Sequence, residues 1–126
     1  MTTEPIPNPT VTVLVCPAAG PPRIEEIGLS LGDLRRALGG DEDRPYVEAV
    51  MIHSLPEGGG IYVFCDENGR YLNLPVNRNF VDTYVGDVVI GRVTPDGDHD
   101  SLTHADVLTV AFSSLLISAS CREMLR

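Results

Sequence analysis

The sequence contains no lysine and no tryptophan, and aromatic residues make up only 6% of its 126 residues. Without lysine, side-chain positive charge at neutral pH comes from nine arginines, which stand against 18 acidic residues and leave a net charge of −9. An acidic surface repels phosphate backbones, so the composition argues against a nucleic-acid partner. It agrees better with a basic protein partner or with plain solubility.

Cysteine is also scarce. The three cysteines, an odd number, lie far apart in the sequence: Cys16, Cys65 and Cys121. This spacing excludes a Cys-x-x-Cys motif and does not suggest a disulfide framework. We expect all three thiols to be reduced in a cytoplasmic protein. The first ten residues have neither a basic start nor an apolar run, which argues against a signal peptide. The longest uncharged segment, Val107 to Cys121, is too short and too rich in serine and threonine to span a bilayer.

Motifs for catalysis or metal binding are missing as well. The sequence has no Gly-x-Ser-x-Gly elbow and no Walker loop. His53, His99 and His104 lack the spacing of zinc ligands. The acidic run Asp96 to Asp100 starts like a calcium loop but lacks the glycine and glutamate that such a loop requires later. The sequence therefore predicts no metal and no cofactor, and it favours a protein that is not an enzyme.

The residues that are present indicate one α+β domain. Residues 1–9 carry three prolines and form an extended tail, and residues 10–126 form the domain. We expect a mostly antiparallel sheet of about four to six strands. Strands are predicted at Thr10–Cys16, Arg23–Gly28, Tyr46–His53, Ile61–Asp66, Arg70–Leu74 and Gly86–Val93.

Three of these strands carry more specific predictions. Arg23–Gly28 is short and predicts an edge strand. Tyr46–His53 and Ile61–Asp66 are apolar at nearly every position, which is typical of strands buried on both faces. The pair Asn68-Gly69 favours a two-residue hairpin turn, which would bring Arg70–Leu74 back against Ile61–Asp66.

Two helices are predicted from their caps. Ser30 and Asp33 have the spacing of a capping box and open a short helix that ends at Gly39. Thr103 and Asp106 have the same spacing and open a longer C-terminal helix. Its apolar positions are Leu108, Phe112, Leu115 and Ala119, and Leu116 and Ile117 widen that face. Deep burial explains so wide a face, and a homodimer through the C-terminal helix is the alternative.

One polar cluster stands out after the predicted strands. Residues 77–85 have the spacing of a helical turn or two, which Asn77 would cap. Arg78 would then lie in the first turn, where the helix dipole disfavours a cation. Either an acidic residue compensates, with Glu48 or Asp87 as the candidates, or an anionic ligand such as a nucleotide binds there.

Two further residues belong to this candidate site. Asn73 can supply another donor and acceptor close to Asn77 in sequence. Glu48 lies inside an apolar strand, where a carboxylate needs a partner. The predicted ligand-binding residues are therefore Glu48, Asn73, Asn77 and Arg78.

The order of these motifs resembles a known family. The segments are Gly-Gly after a short helix, YVEAV, DENGRYLNLPVNR and GDVVIG, which together span Ile24 to Val93. They are similar to the family called domain of unknown function 3846, in which Glu48, Asn77 and Gly86 match recurrent residues. The resemblance implies an association with phages or mobile elements and implies no activity. We therefore expect a phage-related accessory protein that binds another protein, and the alternative is a binder of a small anion at Asn77-Arg78.

Overall fold

The computed structural model describes residues 9–80 and 84–113, which form six strands and two helices. The elements are β1 (Thr10–Cys16), β2 (Arg23–Gly28), α1 (Leu31–Ala37), β3 (Val47–Ser54), β4 (Gly60–Asp66), β5 (Val88–Val93), β6 (His99–Asp100) and α2 (His104–Ser113). All strand pairs are antiparallel, so the predicted α+β class is confirmed. Neither helix in this part of the chain has the length and apolarity needed to cross a membrane.

The sheet has the strand order β2-β1-β5-β4-β3, with the short β6 paired to the end of β5. In this order β5 is central, which agrees with the complete burial of Val88, Val89 and Ile90. The two outer strands are β2 and β3. The prediction that Arg23–Gly28 is an edge strand is therefore confirmed, and β3 is the second edge.

Each face of the sheet packs against one helix. On the face that we call the α2 face, Leu14, Ile61, Val63 and other strand residues form one core with Val110 of α2. On the opposite face, the α1 face, strand residues such as Val13 and Phe64 form a second core with Leu34 and Leu38. Burial of apolar area on both faces stabilises the sheet.

The capping predictions are confirmed. The Ser30 side chain accepts from the Asp33 N–H, and the Asp33 carboxylate accepts from the Ser30 N–H, at 3.0 and 3.2 Å. Gly39, with φ +86°, ends α1 in the left-handed region. The Asp106 carboxylate and the Thr103 hydroxyl form the equivalent box at the start of α2.

The apolar face predicted for the C-terminal helix is described only in part. Leu108 is half-buried, whereas Phe112 is 79% exposed. Leu115, Leu116, Ile117 and Ala119 lie outside the described residues, so the homodimer stays a prediction.

The predicted hairpin at Asn68-Gly69 is wrong. Residues 67–73 form consecutive turns instead of a strand, and the Leu74 N–H donates to the Gly69 carbonyl. The segment Arg70–Leu74 cannot pair with β4, because β3 and β5 already occupy the two sides of β4. The Asp66 carboxylate accepts from the Asn68 N–H, which favours a tight local turn over a hairpin.

The prediction that Tyr46–His53 is buried on both faces is also wrong, whereas the same prediction for Ile61–Asp66 is confirmed. In β3 no residue is fully buried, and Met51 is 51% exposed. In β4 most residues are buried. The two strands have equally apolar sequences, and their burial differs because β3 lies at the edge of the sheet.

Candidate functional site

Asn77 is buried, with 1% of its surface exposed. It acts as a clamp, by which we mean a side chain whose hydrogen bonds hold separate backbone segments together. Its side-chain amide donates to the carbonyl of Cys16 at 2.8 Å and to the carbonyl of Gly86 at 3.0 Å. Its side-chain oxygen accepts from the N–H of Asn79 at 3.0 Å. These bonds use both amide hydrogens, so Asn77 holds the end of β1 to the segment before β5.

The neighbouring backbone groups are also used within the protein. The Asn77 N–H donates to Tyr84, and the Arg78 N–H donates to Ala18. The Asn79 side chain adds two bonds, to the carbonyls of Pro17 and Gly20. None of the three N–H groups at positions 77–79 is therefore available to hold an anion.

The helical turn predicted at Asn77 is not formed in the described residues. Residues 78 and 79 lie in a turn between Val76 and Val85, which pair as an isolated bridge. Residues 81–83 of the predicted helix lie outside the described residues. Without a helix start, the dipole argument for a compensating anion at Arg78 no longer holds.

Arg78 itself is exposed, and none of the described residues forms an ion pair with its side chain. Of the two predicted partners, Asp87 accepts from the Ala18 N–H at 2.9 Å, and Glu48 is exposed on β3. The predicted ion pair is therefore wrong for both residues. Binding of an anion at Arg78 stays a prediction that depends on the guanidinium group alone.

The other two predicted site residues lie elsewhere. Asn73 is exposed in the turn region with φ +52°, and its N–H donates to Arg70. Within the described residues, no hydrogen bond or ion pair joins Asn73, Arg78 and Glu48. The four predicted residues thus do not form one site by direct contact.

Glu48 instead lines a cleft of about 390 Å³ on the α2 face, which we call the Glu48 cleft. Its charged groups are Glu48, Asp66, Glu67 and Arg70, and Tyr71 and Tyr84 also line it. A second cleft, of about 540 Å³, is lined in part by Tyr46, the residue directly before β3. Concave surfaces therefore lie beside the first residues of this edge strand.

Cys65 forms part of the Glu48 cleft but is a poor nucleophile. Burial, together with the carboxylates of Glu48 and Asp66, raises the pKa of the Cys65 thiol to about 11. The thiol is therefore protonated near neutral pH, when only the thiolate is reactive. Among the described residues no group of three His, Cys, Asp or Glu side chains could hold a metal ion.

The outer side of β3 is a free hydrogen-bonding edge in the described part of the chain. The Glu67 N–H donates to the Tyr46 carbonyl, and these residues continue the register of β3 and β4 one step beyond the pair Val47 and Asp66. Backbone groups alternate in direction along an antiparallel strand, so Glu48 and Val50 face β4. The N–H and C=O groups of Val47, Ala49 and Met51 consequently point away from the sheet. The sequence patterns of β3 did not reveal this edge.

Arg92 is a further polar residue of the site region that no sequence motif singled out. It lies on β5 and donates to Asp106 at 2.9 Å and to Glu57, and Asp100 lies 3.9 Å away. The ion pairs of Arg92 therefore connect the loop between β3 and β4 to the start of α2. In the sequence, an arginine inside an otherwise apolar strand is the signal that could have indicated an acidic partner.

The ion pair with Arg92 makes the stability of α2 sensitive to pH. Burial acts to raise the pKa of Asp106, but hydrogen bonds from Thr103 and Arg92 outweigh it and hold that pKa below its usual value. A lowered folded-state pKa stabilises the protein above the unfolded pKa of about 4, and this contribution is lost as the pH falls.

We therefore expect Asp106→Asn to lower the free energy of unfolding by about 1–2 kcal/mol at pH 7. The difference from the wild type should shrink as the pH falls below about 4, where the carboxylate becomes protonated. Urea unfolding at several pH values measures this difference. Asp96→Asn, at an exposed turn position, is the matched control and should have little effect at any of them.

The family model described as "Domain of unknown function (DUF3846)" matches residues 11–113, a range that includes both helices and, apart from Thr10, all strands of the described part. No curated protein and no solved structure matches the chain.

Proposed function

The chain belongs to the DUF3846 family, and from this membership we propose that it is a phage-related accessory protein. From its free sheet edge and its charge we propose that it binds another protein without catalysis. We place this protein in the cytoplasm. The observation that supports the proposal is the free outer edge of β3. Unpaired N–H and C=O groups on an edge strand can pair with an extended segment of a partner.

The two edges of the sheet differ in how well they are protected against such pairing. Arg23 and Glu25 form an ion pair on β2, and Glu26 adds a further exposed charge. In contrast, Glu48 is the only acidic residue on β3, which has no lysine, arginine or proline. Charged edge strands resist pairing with other chains. The edge at β3 is therefore the better candidate for binding.

Ala49→Pro tests this proposal with little disturbance of the fold. Proline removes the outward N–H of Ala49 and places its ring on the free edge, whereas the bonds of Glu48 and Val50 to β4 remain. We expect a partner protein to bind roughly tenfold more weakly to this variant. Quantitative pull-down from a lysate of the source cells, with wild type and variant as baits, measures the loss.

Thermal unfolding of the variant is the control for folding. If the variant folds normally and retains the same proteins as the wild type, binding at β3 is wrong. A thermal-shift measurement with phosphate and nucleotides tests the alternative function. Stabilisation by one of these anions that Arg78→Ala removes would favour the small-anion hypothesis.

A further inference from the structure

The free edge of β3 presents two different rows of side chains. Residues opposite each other in the register share a face, and Glu48 lies opposite Cys65, which belongs to the core of the α2 face. Glu48 and Val50 therefore point to the α2 face, and Ala49 and Met51 point to the α1 face. A strand added along this edge would contact both rows.

The row on the α2 face is acidic. Among the described residues, the Glu48 cleft has two free carboxylates, Glu48 and Glu67, against the single guanidinium of Arg70. Asp66 also lines the cleft, but its position opposite Val47 directs its side chain to the α1 face, and its carboxylate accepts from the Asn68 N–H. Within the described residues the carboxylate of Glu48 has no ion-pair partner. Tyr71, which is 90% exposed, lines the same cleft, and an aromatic ring attracts a cation.

The row on the α1 face is apolar. Ala49 and Met51 are exposed there, and Met51 lies opposite Tyr62 of β4, which is half-buried. Apolar side chains from a neighbouring strand would bury this surface and gain the free energy of removing it from water. The two rows thus require different side chains at alternate positions of a partner strand.

We propose that β3 binds an extended segment with a basic side chain for the Glu48 cleft and apolar side chains for Ala49 and Met51. This inference depends on the proposed function and adds the chemistry of the partner. A second copy of the chain fits less well than a basic segment, because both copies would carry a net charge of −9.

Selection from a displayed library of random twelve-residue peptides tests the inference. Wild-type protein, Glu48→Gln and Ala49→Pro are used as targets, and peptides that bind the wild type are sequenced. We expect arginine or lysine to be enriched, with apolar residues at the neighbouring alternate positions. Binding of the selected peptides is then measured by fluorescence anisotropy.

Glu48→Gln should weaken binding of these peptides about fivefold, and the loss should be smaller at high salt because ions screen the charge pair. Glu26→Gln is the matched control, since it removes one exposed carboxylate from the other edge strand. It should leave the affinity nearly unchanged.

The possible outcomes separate the inference from the proposed function. Peptides that require an intact Ala49 but show no basic residue and no response to Glu48→Gln would overturn the inference and leave binding at β3 intact. Peptides that bind Ala49→Pro as well as the wild type would overturn both. Concentration-dependent dimers that Ala49→Pro dissociates would assign the edge to a second copy and also overturn the inference.

Discussion

Replacing Asn77 with alanine is expected to lower the free energy of unfolding by about 3–5 kcal/mol. The substitution removes both donors to the carbonyls of Cys16 and Gly86 and the acceptor for the Asn79 N–H. All three groups would then lose a partner at a position that is 99% buried, since only 1% of Asn77 is exposed. Each buried polar group that is left without a hydrogen bond costs about 1–3 kcal/mol.

Urea unfolding followed by circular dichroism measures this loss, and an unchanged slope would show that the unfolded state is unaffected. Asn68→Ala is the matched control, because Asn68 is an exposed asparagine in a turn. Its effect should stay within about 0.5 kcal/mol. If the two variants were equally stable, Asn77 would not be the clamp that its contacts indicate.

The same comparison separates a structural role of Asn77 from a role in ligand binding. If the residue acts only as a clamp, its loss destabilises the protein by the same amount with and without phosphate. If it also contacts a bound anion, phosphate stabilises the wild type more than the variant. The bonds of Asn77 inside the protein lead us to expect no difference.

Features that depend on neighbouring residues could be predicted from the sequence. The capping boxes of Ser30 and Thr103 and the left-handed stop at Gly39 involve groups within one or two turns of a helix. The turn at residues 94–97 is equally local: the Gly97 N–H donates to the Thr94 carbonyl, in a turn with proline at its second position and glycine at its fourth. In these segments the local preference and the fold agree.

Features that depend on strand order could not be predicted in this way. The sequences of β3 and β4 are similarly apolar, and only the position of β3 at the end of the sheet exposes it. The Asn-Gly pair at 68–69 favours a hairpin locally, but β5 pairs with β4 instead. Long-range pairing of strands overrode the local preference of the turn.

In the candidate site, too, the features that depend on neighbouring residues could be predicted, and those that depend on strand order could not. The sequence predicts a role for Asn77, but its partners at Cys16 and Gly86 become visible only when β1 and β5 are adjacent. The charges of Arg78 and Glu48 predicted an ion pair, but no ion pair joins them in the described part of the fold. Arg92 was missed because its partners come from three other segments of the chain.

Gly59→Ala should be the second strongly destabilising change, with an expected loss of about 2–4 kcal/mol in the free energy of unfolding. Gly59 has φ +71°, a conformation in which any other residue is strained. A Cβ atom there would also lie 2.2 Å from the carbonyl oxygen of Val93 and 2.8 Å from the carbonyl carbon of Thr94. Both contacts are with backbone, so the loop between β3 and β4 would have to move away from β5.

Gly97→Ala separates the two causes of this loss. Gly97 has φ +89°, but nothing lies within 4 Å of a Cβ atom at that position. This variant should therefore show only the backbone strain, about 1 kcal/mol in urea unfolding. Equal losses for the two variants would mean that strain alone accounts for the cost at Gly59. A larger loss at Gly59, as we expect, would show that close contact with the end of β5 and the residues after it holds the loop between β3 and β4 in place.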